Sequence, residues 1–361
     1  MRIVQVYKDV HPFVRGGIER YVHDLSAFLA GRGHDVTVLV AGRGGRRREL
    51  SGFTVLEYPC LCRVLSNPVS PGLGAVLGST AADVFHFHLP LPSAVMAWSM
   101  SGYREPYAAT YHSDIVRQAF LMPFYGPFLR RFLRRAGRVL ATSPAYRDTS
   151  IYLSGLDNVS VVPIGVDLAH FRPSGRPSEG YALFVGRFRG YKGIEVLMEA
   201  WRNLPGRRLV MVGGGPLEGR IRSITEDSGM KIELRGELED DQLLETYRGA
   251  SFLVLPSTMR SEAFGMVQVE AMACGVPVIS TGIPTGVPWV NMHGVSGLVV
   301  PPGDPEALAD AVRSMEDPAT RDSLSAGALE RARGTFDSRS LFAEVEELLI
   351  EVADEVRGGR G

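Results

Sequence analysis

Short β-branched and apolar runs alternate along this chain with longer segments whose apolar residues recur at helical spacing, the pattern of parallel βαβ units. In the first half the strand-like runs cover residues 3–6, 36–40, 84–88, 108–112, 139–142 and 159–163. Between the first two, Ile18, Val22, Leu25 and Leu29 share one face of a helix that Gly31 and Gly33 stop. A second series covers 182–185, 209–212, 232–234, 252–255, 276–280 and 298–300. Asp304-Pro305-Glu306 supplies an N-cap, a first-turn proline and an early acid for a further helix. The last helix, 338–356, carries Leu341, Val345, Leu348 and Val352 on one face, and that stripe needs a surface to cover it.

The expected architecture is therefore α/β, with two Rossmann-like domains whose parallel sheets face across an inter-domain cleft. Residues 1–170 form the first domain, the Pro/Gly/Ser-rich stretch 171–180 the linker, and 181–336 the second domain, with 337–361 as a terminal helix. A length of 361 residues suits two cores better than one. In such sheets ligands bind beyond the carboxyl ends of the strands, and every chemical motif below falls at such an end.

Composition narrows the function classes. The net charge is −1, with 39 basic against 40 acidic residues, so no global field favours nucleic acid. Cys60, Cys62 and Cys274 make neither a disulfide framework nor a zinc set. The chain opens on a strand-like run rather than a signal peptide, and no apolar run approaches the ~20 residues that span a bilayer. A cytoplasmic protein is expected, with any membrane association peripheral at the inner face.

The sharpest chemical signal is Ser261-Glu262-Ala263-Phe264-Gly265-Met266-Val267-Gln268-Val269-Glu270, after the 252–255 strand. Gly265 opens a helix whose exposed N–H groups and dipole attract an anion such as a diphosphate. Glu262 then sits beside a sugar, and Glu270 accepts bonds from ribose hydroxyls. A second loop, Gly186-Arg187-Phe188-Arg189-Gly190-Tyr191-Lys192-Gly193, brings two cations, Arg187 and Lys192, able to neutralise a departing diphosphate without a metal. Lysine is rare here (Lys8, Lys192 and Lys231 are the only three), which sharpens the signal of Lys192. Gly16-Gly17 ahead of the first helix is another anion-binding turn, and Gly213-Gly214-Gly215 reads as a strand-to-helix turn lining the nucleotide pocket. His86, His88 and His112 cluster at strand ends. His86 reads as core, whereas His88, His112 and Asp114 are candidates for the sugar or acceptor side. No Asp-x-Asp occurs, and the His-x-His pair has no third ligand at a metal spacing, so no metal and no cofactor are expected.

Taken together these residues resemble the family-four group of retaining glycosyltransferases with the GT-B fold. The likeness spans nearly the whole chain, including Val162-Pro163-Ile164-Gly165-Val166-Asp167 and the segment from Asn291 through Pro302. The resemblance implies that Arg187 and Lys192, with Gly186, Gly16 and Gly17, hold the donor diphosphate. It implies that Glu262 and the Phe264-Gly265-Met266 backbone hold the sugar, Glu270 the ribose, and Arg235, Gly236 and Leu238 the base. It places His112 near the sugar and takes the terminal helix back onto the first domain. The implied reaction moves a hexose-type sugar from a UDP- or GDP-linked donor to a glycan, glycolipid or lipid-linked acceptor, with retention. A phosphorylase or epimerase on the same fold, or a non-catalytic nucleotide-sugar-binding subunit, are the alternatives. Residues 120–139 mix Phe120, Phe124, Tyr125, Phe128 and Phe132 with five arginines, a pattern that suits either peripheral membrane contact or a solvated helix face. The basic run from Arg43 to Arg48 reads as a mobile loop.

Overall fold

The computed structural model describes residues 1–64, 67–115, 120 and 122–358. The chain divides into two compact units, residues 1–163 with 339–361, and residues 164–338. The division thus falls after Pro163 rather than within 171–180, and the Pro/Gly/Ser-rich stretch belongs wholly to the second unit. Backbone bonds explain the position. Val166 N–H donates to Phe336 O (2.9 Å) and Ser338 N–H to Val166 O (3.0 Å), so the two passages of the chain are tied side by side. Gly165 is required there, because a Cβ would collide with Phe336 O and the Ser338 backbone.

The first unit holds an eight-stranded sheet. Its strands in chain order are β1 (Arg2–Val6), β2 (Asp35–Gly42), β3 (Arg47–Leu50) and β4 (Phe53–Pro59), then, after a separate hairpin of β5 (Cys62–Val64) and β6 (Asn67–Val69), β7 (Val84–Leu89), β8 (Tyr107–Tyr111), β9 (Arg138–Ala141) and β10 (Val159–Val161). The sheet order is β10-β9-β8-β7-β1-β2-β4-β3, and only β3 runs antiparallel. Of the basic run expected as a mobile loop, Arg47 and Arg48 fall on the edge strand β3, while residues 43–46 lie in the connection before it. Arg48 pairs with Glu57 at 2.9 Å across the ladder, while Phe53 and Val55 of β4 point into the core. Four helices matter below: α1 (Gly17–Gly31), α2 (Leu73–Ser79), α3 (Pro92–Ser101) and α4 (Met122–Arg135).

The Ser338–Gly358 helix lies on the first unit, and residues 359–361, assigned to it by sequence, lie outside the described residues. Its buried face is Phe342, Val345, Leu349, Val352 and Ala353, with Leu341 and Leu348 only half-buried. The expected stripe was thus rotated by about one residue, because adjacent apolar pairs leave the centre of a helical face ambiguous. Phe342 meets Tyr21 and Phe28 of α1. The buried Glu346 carboxylate lies 2.7 Å from His34 Nε2 and 3.1 Å from Arg32 Nε.

The second unit holds six parallel strands, β11 (Tyr181–Val185), β12 (Leu209–Val212), β13 (Ile232–Gly236), β14 (Ala250–Leu255), β15 (Val278–Thr281) and β16 (Gly297–Val300), in the order β13-β12-β11-β14-β15-β16. The inner strands β11, β12, β14 and β15 are buried on both faces, hence their near-continuous apolar runs, while the edge strands β13 and β16 are only partly buried. Asn291 is fully buried. Its amide donates to Val278 O (3.1 Å), Ser280 Oγ (2.9 Å) and Leu298 O (3.1 Å), and its oxygen accepts from Ser296 Oγ (3.1 Å). It therefore staples β15 to β16.

Candidate functional site

Strand order reverses direction from β11 to β14 in the second unit and from β1 to β7 in the first, and both switch points open a crevice at the carboxyl ends of the strands. At the β11/β14 point two loops meet. The Gly186–Lys192 loop leaves β11, and the Pro256–Gly265 segment leaves β14. They are joined by a buried ion pair, Lys192 Nζ to Glu262 Oε2 at 2.5 Å, with Ser257 Oγ donating to the same carboxylate oxygen at 3.1 Å. Burial by itself would lower the Lys192 pKa, but the charges of Glu262, Tyr191 and Glu270 outweigh it and the net shift is upward. The ammonium is therefore a permanent charge at neutral pH.

Glycine decides how closely these loops approach. Gly193 is left-handed (φ +70°), and a Cβ there would overlap Pro256 O. The glycine run 213–215 abuts the cationic loop in the same way: Phe188 N–H donates to Gly214 O at 2.9 Å, and a Cβ at Gly213 would collide with Gly186 O. Gly265 (φ +74°) caps the Met266–Ala273 helix without a side-chain cap, and its carbonyl accepts from Gln268 N–H at 2.9 Å; such a helix N-terminus favours an anion. Gln268, fully buried, donates to Phe264 O at 2.7 Å and Val287 O at 3.3 Å and so holds that turn in shape. One turn further on, Glu270 Oε2 accepts from Tyr247 OH at 2.6 Å.

At the β1/β7 point of the first unit the histidines form a buried chain. His88 Nε2 lies 2.7 Å from Gln5 Oε1, and His88 Nδ1 lies 3.1 Å from His112 Nε2. With Gln5 accepting, His88 donates from Nε2 and accepts from His112 Nε2–H. That leaves His112 Nδ1 as a lone pair without a partner among the described residues, which a hydroxyl could fill. His86, bonded to Thr110 at 2.7 Å, is core, as its sequence context indicates. Burial lowers the pKa of His86 and of His112 to about 3, and that of His88 well below the ordinary value with help from its two neighbours. In the unfolded chain all three titrate near 6.5, so below that pH the unfolded state binds more protons and stability is lost as pH falls. The expected slope is up to about 1.4 kcal/mol per pH unit for each histidine. Thermal unfolding at pH 7 and 5.5 checks this, with a shallower fall expected for His86→Gln.

Known proteins match most of the chain. A family model described as Glycosyltransferase Family 4 covers residues 15–170, and one described as Glycosyl transferases group 1 covers residues 168–331. The O-antigen chain mannosyltransferase C of Escherichia coli is 33% identical over 335 residues, covering 87% of this chain and 88% of that protein. The chain belongs to the family-four, group 1 glycosyltransferases. The D-rhamnosyltransferase WbpZ of Pseudomonas aeruginosa is 31% identical over 93% of this glycosyltransferase and 92% of its own length. The fold is GT-B: Anabaena HepE, solved in complex with UDP, superposes with a TM-score of 0.79 over 97% of this chain and 100% of that one, at 21% identity.

Not every residue singled out from the glycosyltransferase sequence joins these two clusters. Arg187 is exposed on the cationic loop. Arg235, Gly236 and Leu238 lie at the end of the edge strand β13, where Arg235 Nε donates to Glu233 (2.8 Å) and its guanidinium stacks on Tyr181. Phe264 packs inward against Phe336 and Trp289 and offers a ligand only its backbone, while Met266 is half-buried. The Gly16-Gly17 turn is overlain by the Glu19 carboxylate, with which a Cβ at Gly16 would collide. Asp114 accepts from Tyr111 OH (2.8 Å) and Ser150 Oγ (2.7 Å), so its carboxylate braces the end of β8. Sequence reasoning missed Ser257, Tyr247, Gln268 and Gln5. Gln5 alone had a visible signal, as the one polar residue inside an apolar strand.

Proposed function

We propose that this glycosyltransferase moves a hexose-type sugar from a UDP- or GDP-linked donor to a glycan or lipid-linked acceptor, with retention and without a metal. The Lys192–Glu262 pair at the β11/β14 switch point carries the reading. A buried cation beside a helix N-terminus is suited to stabilising the negative charge that builds on a departing diphosphate. Glu262 accepts from sugar hydroxyls, Glu270 from the ribose, Arg187 adds positive charge, and His112 Nδ1 accepts from a donor hydroxyl. The glycine turns supply close amide groups: Gly186 and Gly265 in the second unit, Gly16 and Gly17 in the first. Arg235, Gly236 and Leu238 flank the base. On the front face of the sugar the leaving phosphate oxygen takes the acceptor's proton, so the protein contributes position and charge rather than a nucleophile. Among the described residues, no group of three or more His, Cys, Asp or Glu is arranged to hold a metal ion.

A cell-surface polysaccharide as product is supported by the relatives, whose names concern O-antigen mannose and D-rhamnose. Among the described residues no helix is long and apolar enough to cross a membrane. A cytoplasmic enzyme touching the inner membrane face through residues 120–139 accords with α4, which exposes Phe124 beside its arginines; Leu121 in that span lies outside the described residues.

A thermal-shift panel of UDP, GDP and ADP, run with EDTA and with magnesium, tests the donor site. One diphosphate should raise Tm equally in both conditions, and Glu270→Gln should weaken its binding about tenfold while leaving inorganic diphosphate unaffected. A shift seen only with magnesium would overturn the metal-free reading.

A further inference from the structure

Gln5 stands in β1, fully buried, with β2 on one side and β7 on the other. An amide is costly there unless its hydrogen-bonding groups are used. Among the described residues its Nε2 has no partner, while its Oε1 lies 2.7 Å from His88 Nε2. An amide serving the sheet alone would engage both of its ends. One that offers a single acceptor to a single imidazole is suited to deciding where that ring carries its proton. The far end of the chain is equally unfilled, since His112 Nδ1 is buried without a partner among the described residues.

The rings themselves are held by their neighbours. His88 and His112 stack with an interplanar angle of 21°, and Tyr21 of α1 meets both edge-on, at 5.8 Å and 5.3 Å between ring centroids. Tyr7 meets His88 in the same way at 6.2 Å. With the imidazoles packed like this, their protons are what remains to be set. Burial keeps both rings neutral, so each has one N–H and one lone pair. Two arrangements then satisfy both contacts. With Gln5 accepting, His88 and His112 both carry the proton on Nε2, and His112 Nδ1 is a lone pair. With the amide turned over, both protons would move to Nδ1, and His112 would become a donor. The orientation with Oε1 on His88 selects the first.

We propose that Gln5 is a positioning residue for sugar transfer: acting through His88, it keeps the His112 proton on Nε2 and leaves Nδ1 to accept from a donor-sugar hydroxyl. The inference rests on the reading above of His112 as a contact to the donor sugar, and it adds a residue that touches no substrate. The other tautomer would turn an N–H toward the same hydroxyl, which would then have to accept rather than donate. A hydroxyl can do either, so the cost of losing Gln5 is one weakened hydrogen bond and not a lost site.

The test follows the full chain by nitrogen-15 NMR of labelled histidines, since protonated and bare imidazole nitrogens resonate far apart. In parallel, kcat/KM for transfer is measured with the donor identified by the diphosphate panel. Wild-type His112 should show a protonated Nε2 and a bare Nδ1. Gln5→Leu, of similar shape but without an acceptor, should leave both rings as mixtures of tautomers. It should lower kcat/KM about tenfold, the worth of one hydrogen bond. Gln5→Met, whose thioether is a weak acceptor, should fall between the two and serves where leucine disturbs β1. Affinity for the nucleoside diphosphate should be unchanged in both, since among the described residues Gln5 bonds to none of the groups placed around it. In a His112→Ala background, which should lose at least as much transfer, Gln5→Leu should cost nothing further. Independent, multiplying losses would overturn the proposal, as would an unchanged His112 tautomer in both Gln5 variants; His112 would then keep its sugar contact without a relay. Mixed tautomers with full transfer would also overturn it. Full transfer by His112→Ala would remove the reading on which the proposal rests, and the proposal with it.

Discussion

Replacing Lys192 by methionine is expected to lower sugar transfer about a thousandfold, the upper part of the range for removing one group that stabilises developing charge. The same change should cost about 3–5 kcal/mol of stability, because it leaves Glu262 buried without its counter-charge. Among the described residues, the carboxylate would keep only the 3.1 Å bond from Ser257 Oγ. Adding Glu262→Met removes the stranded charge, so the double variant should recover most of the lost stability. It should recover none of the transfer activity. That split distinguishes a chemical role from a merely structural ion pair, since a structural pair would restore both together. Urea unfolding and initial rates with the donor identified by the diphosphate panel measure the two halves. Recovery of transfer in the double variant would remove the pair from the reaction.

Gly193→Ala should be nearly as damaging without touching a charged group. The residue sits at φ +70°, which costs a side-chain-bearing residue roughly 1–2 kcal/mol, and its new Cβ would press on the Pro256 carbonyl. Pro256 is backbone and cannot swing aside, so the two loops must separate. The expected loss is about 3 kcal/mol or more, with Lys192 drawn away from Glu262 and diphosphate affinity falling alongside. Gly190→Ala is the control, since a Cβ there meets nothing and φ is ordinary. Equal Tm values for the two variants would show that the loop separation is tolerated.

These expectations mix two kinds of knowledge. All twelve anticipated strands overlap the observed ones within two residues at each end, because the inner strands of parallel sheets, buried on both faces, must be continuous apolar runs bounded by turns. The outer strands β3 and β4 were not anticipated. Arg47–Leu50 is polar and pairs at an edge, where one face meets solvent and the apolar signal halves.

Among the candidate residues, Lys192, Glu262 and Gly265 stood out in the sequence because they lie in the loops that follow strand runs, and Glu270 because it is a glutamate in an otherwise apolar helix. Their partners were not. Ser257 and Tyr247 reach Glu262 and Glu270 from neighbouring elements, and nothing local marks a serine or tyrosine for such a bond. Gly193 read simply as part of a loop, whereas its need arises from Pro256, sixty-three positions away in the chain. By itself, then, the order of residues determined the strands, the helix caps and the charged or glycine positions at strand ends, all of which depend on interactions within a few residues. Which strands lie side by side, where the chain passes between units, and which cation meets which carboxylate were decided only by tertiary structure, since those choices depend on contacts between segments far apart in sequence.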